Sequence, residues 1–164
     1  MRRLYDWTDG ELLGILFGSV NGSAWELCKT LLLPFLIWSL LELLTLRFSF
    51  HRFAVAKTAA LYALGALYLL LSKLAGGTAA GIIAVIGAFA LSFLLYSSSA
   101  RLRGLFAPAL ALLFLFVALY FSFTPFPPRH EFFRDGATGM YGIIPKHFDY
   151  GAAALDASYF VQKK

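Results

Sequence analysis

Four apolar runs, separated by short polar, basic or glycine-rich breaks, set the pattern of this chain. They cover about 23–46, 53–75, 78–96 and 105–123. A helix needs roughly 20 apolar residues to cross the hydrocarbon of a bilayer. The pattern predicts an all-α fold: a polytopic transmembrane bundle of four spanning helices, forming one unit over residues 23–123. Ahead of it, the apolar run Leu12–Phe17 is too short to span. Residues 1–22 are expected to lie in the interface or to dip in and return, with Tyr5 and Trp7 at the lipid boundary. Behind the bundle, Pro125, Pro127 and Pro128 stop the fourth helix, and residues 124–164 read as a soluble extramembrane tail. Beyond Pro145 that tail is expected to be weakly ordered.

Inside the runs a few positions depart from plain lipid-facing sequence. Pro34 removes a backbone donor and clashes with the carbonyl of Thr30, which predicts a kink in the first helix. Glu42 is an intramembrane charge near that helix's far end. It is expected to snorkel or to pair with Arg47 or Lys57, and the alternative is a proton or cation site facing inward. Ala80, Ala84 and Ala88 recur every four residues and form a small-residue face. That face suits close packing within the bundle, with a homo-oligomer or another membrane partner as the alternative. Lys73 is placed to snorkel from the end of the second helix.

The densest polar stretch is Asn21-Gly22-Ser23-Ala24-Trp25-Glu26-Leu27-Cys28-Lys29. Ser23 and Glu26 have capping-box spacing: the serine hydroxyl would accept from the N–H of Glu26, and the glutamate would reach back to the N–H of Ser23. Trp25 is expected at the boundary with its N–H wet. Lys29 lies three residues past Glu26, on the same helix face. Two readings are open. One is a capped helix start; the other is a polar pocket formed by Asn21, Ser23, Glu26 and Lys29.

Composition narrows the chemistry. Charged residues make up 14% of the 164, against about a quarter in soluble domains, which agrees with a bilayer setting. The formal charge of +5 suits anionic headgroups, and no basic-aromatic motif points to nucleic acid. Cys28 is the only cysteine, so it forms no disulfide within the chain and is expected to be a buried, inert thiol. His51 and His130 lack partners at ligand spacing. No metal site, cofactor motif or catalytic set is expected.

The run N-x-S-x-W-E-x-x-K resembles the signature of an uncharacterised family of small bacterial multi-span membrane proteins. Its tail counterpart, D-x-x-T-G-x-Y-G-I, matches Asp135 through Ile143, and Leu4-Tyr5-Asp6-Trp7 also fits. The resemblance adds Asp135, Thr138 and Tyr141 to the candidate polar site and implies that the tail folds over the bundle mouth beside Asn21–Lys29. The chain departs from the family's pattern at Gly22, where relatives carry an acid, and at Leu27, where they carry a histidine. The resemblance also leads one to expect a further hydrophobic helix before the Tyr-Asp-Trp segment, which this sequence does not hold. It implies no biochemical role.

Four spans put both termini on one side. Arg47, Arg52, Lys57, Arg101 and Arg103 lie in the loops of the other side, and lysine-arginine excess marks the cytoplasm. This places both termini outside in the cell membrane, although Arg2 and Arg3 pull the other way. The leading functional expectation is small-ligand binding or transport, or a subunit of a membrane complex. The alternative is an enzyme acting on a lipid or isoprenoid at the interface, with Glu26 as acid/base and Lys29 or Arg129 holding an anionic headgroup.

Overall fold

The computed structural model describes residues 4–8, 11–46, 49–98 and 102–143. Its helices are α1 (Leu4–Trp7), α2 (Leu12–Phe17), α3 (Ala24–Thr45), α4 (Phe50–Ala75), α5 (Gly77–Ser97) and α6 (Phe106–Ser122). Single 3-10 turns cover Leu102–Leu105 and Glu131–Phe133. The described residues contain no strand, and one isolated antiparallel bridge joins Arg134 to Tyr141.

Helices α3, α4 and α5 are long and apolar enough to cross a membrane. The fourth run forms α6 within one residue of its expected bounds at each end, but with 17 residues, or about 26 Å, it is shorter than the other three, and the tight turn Leu102–Leu105 leads into it. α4 begins earlier than expected, at Phe50, because His51 and Arg52 in its first turn have side chains long enough to reach water. α3 runs unbroken through Pro34. The described residues of the region 1–22 include two short helices, α1 and α2. The expectation for the chain beyond Pro145 lies outside the described residues, as does Arg47.

α4 is the central element: α3, α5 and α6 all pack on it. The core gathers Cys28, Leu32 and Phe35 of α3, Leu61, Leu64 and Tyr68 of α4, and Phe116 and Tyr120 of α6. Ala80, Ala84 and Ala88 are fully buried in this cluster, covered by the chain itself. Small side chains there let α5 approach α4 closely. Large apolar side chains such as Leu44, Ile86, Phe93 and Phe114 point outward, as expected of helices that are apolar all round.

Candidate functional site

The start of α3 and the chain after α6 meet at one end of the bundle. Ser23 caps α3 by accepting from the N–H of Glu26 at 3.3 Å, as its spacing predicts. The reciprocal half of the capping box does not form. The N–H of Ser23 goes to Asn21 Oδ1 at 2.9 Å, and Glu26 turns inward to accept from the N–H of Val20 at 3.1 Å. The reason lies one turn along: Lys29 Nζ holds Glu26 at 3.0 Å, and both side chains are buried.

Thr124, just past α6, completes the pair. Lys29 Nζ donates to Thr124 Oγ1 at 2.6 Å, and that hydroxyl donates to Glu26 Oε1 at 3.1 Å. The ammonium also lies 5.5 Å from the ring centre of Tyr120. A buried ion pair is tolerable only when its remaining donors and acceptors find partners, and here the threonine supplies them. Trp25 is drawn in as well. It is buried between Phe123 and Phe133, at 5.3 and 5.5 Å, and its indole N–H has no partner among the described residues. The expected wet boundary position is therefore corrected: the tail covers this ring.

That cover is the segment from Pro125 to Ile143. Asp135 accepts from the N–H of Gly22 at 2.8 Å with one oxygen, and from the N–H and hydroxyl of Thr138 at 2.8 and 2.7 Å with the other. Asn21 Nδ2 donates to the carbonyl of Gly142 at 2.7 Å. Burial raises the Asp135 carboxyl, but the bonds from Thr138, Gly22 and Ala137 outweigh it and hold the group below its ordinary range. A Cβ on Gly22 would stand 2.8 Å from Asp135 Oδ1, so the residue that departs from the expected acid is also one that leaves room for this carboxylate. Gly139 and Gly142 both have positive φ, 71° and 76°, a region where glycine is not strained. This explains the two glycines of the tail motif.

Six of the seven candidate residues are thus joined: Asn21, Ser23, Glu26, Lys29, Asp135 and Thr138. Tyr141 contributes its backbone through the bridge to Arg134, while its side chain stands half-exposed; the carbonyl that Asn21 uses belongs to Gly142. Thr124 was not singled out in the sequence. Its signal was a hydroxyl directly before the proline-rich stretch that follows α6. At the same end, Lys73 pairs with Glu131 at 2.9 Å, lowering the Glu131 carboxyl through that bond and charge.

The opposite end holds Glu42. It accepts from Trp38 Nε1 at 2.9 Å and pairs with Lys57. Lys57 Nζ also lies 5.3–5.5 Å from the ring centres of Phe35, Phe53 and Phe89. A cavity of about 300 Å³ adjoins the pair, lined further by Ser92, Phe93 and Tyr96. Between the two ends, a larger groove of about 690 Å³ runs between α3 and α5. Leu27 and Leu31 form one wall and Ile82, Val85 and Ile86 the other, with Gly77 and Gly81 opening the space beside Tyr68. Among the described residues no three histidine, cysteine, aspartate or glutamate side chains converge as a metal site.

Over residues 1–143 the chain matches the model of a family of unknown function (DUF6512), and it belongs to that family. No curated protein and no solved structure matches it.

Proposed function

We propose that this member of a family of unknown function is a multi-pass membrane protein with four embedded helices, and that it holds a lipid-like amphiphile along the seam between α3 and α5. The observation that carries this is the groove of about 690 Å³, a volume within the range of small-molecule sites, roughly 300–1,000 Å³. In a bilayer such a groove is bathed in acyl chains, so an acyl or isoprenoid chain is the occupant its apolar walls fit. Support for the membrane setting comes from the three long apolar helices and the shorter α6. The basic residues around Arg52 and Arg103 support a cytoplasmic position for their end and an outside position for the Asn21 end.

In this reading the Glu26–Lys29–Thr124 cluster is a clasp that shuts the mouth next to the groove. Its polar groups satisfy one another, and none of the three lines the groove. The enzyme reading draws less support, because a general acid or base must reach its substrate and Glu26 is 2% exposed with both oxygens engaged.

Native mass spectrometry on protein gently extracted from its own membrane tests the proposal, with wild type beside Gly81→Leu. A Cβ at Gly81 already meets Leu31 at 3.4 Å, so a leucine fills the groove. A discrete bound mass in wild type, lost in the variant, is the expected result. Bare wild-type protein, or a ligand that survives the filling, would overturn it.

A further inference from the structure

The proposed amphiphile needs a place for its polar end, and the Glu42–Lys57 cavity has the chemistry for one. We infer that this cavity receives a zwitterion carrying a primary ammonium and a phosphodiester, with the ammonium at Glu42 and the phosphate at Lys57. The inference rests on the seam reading for the path of the tail but not for the headgroup chemistry.

The charge pattern chooses the ligand class. Glu42 and Lys57 form a net-neutral pair whose side chains are only 22% and 13% exposed. An anion would pair with Lys57 but strand Glu42, and a cation would do the reverse. Either outcome leaves an uncompensated charge in a poorly solvated site. A zwitterion exchanges one ion pair for two, and every charge keeps a partner. The rings of Phe35, Phe53 and Phe89 hold the Lys57 ammonium in place beside the cavity, where it can meet a phosphate. Ser92 and Tyr96 add hydroxyls on the cavity wall. Lysine's flexible four-carbon stem lets its head follow a phosphate without moving the helix.

The position also fits a lipid. Glu42 lies one turn from the end of α3, at headgroup depth. Ile82 and Ile86 line the groove, Phe89 and Phe93 line the cavity, and the four follow one another on a single face of α5. The residues from Tyr96 to Ile86 span about 15 Å of helix, half the roughly 30 Å hydrocarbon thickness. A tail anchored at the cavity thus reaches the near edge of the groove, at Ile86, at about the middle of the bilayer, and the rest of the groove continues toward Gly77 in the other half. Phe35 and Phe89, packed edge to face at 5.3 Å, stand between the two spaces, so the tail passes on the lipid side of that pair.

The test reconstitutes the full chain in vesicles of equal phosphatidylethanolamine and phosphatidylglycerol and measures the lipid retained on the protein by native mass spectrometry. Wild type is expected to keep phosphatidylethanolamine over phosphatidylglycerol by about tenfold, a ratio that one well-placed charged contact can supply. Glu42→Gln and Lys57→Met should each bring the ratio near one while the groove still carries lipid. Ser92→Leu fills the cavity and leaves the ion pair in place, so it should abolish the preference in a folded protein. A parallel arm adds soluble glycerophosphoethanolamine to lipid-free protein: binding there, with no retained lipid, makes the free zwitterion the ligand. Lipid retained without headgroup preference, or a preference that survives Ser92→Leu, would overturn the inference and leave the seam reading standing. Absence of both lipid and free zwitterion would overturn the two together.

Discussion

Each end of α3 carries a glutamate bound to a lysine, and the two pairs are built to opposite plans. At the start, Glu26 and Lys29 are sealed: the lysine side chain is 0% exposed, and a backbone N–H and the Thr124 hydroxyl complete the set. At the other end, Glu42 and Lys57 border a cavity and rest against aromatic rings. The same two side chains are closed in by protein groups in one place and border an open space in the other. What differs is the supply of partners. The sealed pair has neighbours enough to satisfy it, and the open pair has a void where further partners would stand.

Removing one lysine from each pair sharpens this contrast. Lys29→Met strands a buried carboxylate and should cost about 3–5 kcal/mol in denaturant unfolding, the largest effect expected here. The double variant with Glu26→Gln should recover part of that loss. Thr124→Val keeps the shape but deletes the hydroxyl between the two charges, with an expected cost of about 1–3 kcal/mol in the same assay. Lys57→Met should fall at the lower end of that same range of about 1–3 kcal/mol, because Glu42 keeps its Trp38 bond and some access to water. Equal losses for Lys29→Met and Lys57→Met would erase the distinction between the two ends.

The tail offers a test by pH. The Asp135 carboxyl is held below its ordinary value of 3.8, so the folded protein favours the ionised form more than the unfolded chain does. The resulting stability is fully present above that value and is lost as pH falls through the lower, folded one. Asp135→Asn should therefore melt at a lower temperature than wild type near neutral pH, by the equivalent of about 1–3 kcal/mol. The gap should close in strong acid, where wild type has lost the same contribution. The smallest effect belongs to Glu131→Gln. The Lys73–Glu131 pair is exposed to solvent, and its loss should leave the melting temperature unchanged.

Much of the architecture was legible because it depends on near neighbours in the chain. Run length and hydropathy predicted α3, α4 and α5, and the spacing of Ser23 and Glu26 predicted the helix cap. Lys29 three residues after Glu26 and the small-residue repeat at Ala80, Ala84 and Ala88 are likewise local patterns. The 3-10 turn at Leu102–Leu105 ahead of α6 was not legible, because whether such residues wind as 3-10 or α turns on their packing against α4.

The site divides along the same line. Its members on α3 could be named from the sequence because helical periodicity brings residues three apart onto one face. Its remaining partners lie 95, 113 and 121 residues away, for Lys29 with Thr124, Gly22 with Asp135 and Asn21 with Gly142. The tail motif hinted at the second and third of these contacts but not at their atoms. Only the packed bundle decides which hydroxyl reaches a buried ammonium, whether Glu26 faces Ser23 or Val20, and whether a void remains beside Glu42. Those outcomes depend on how α3, α4, α5 and α6 share volume, and that is a property of the assembled helices and of none of them alone.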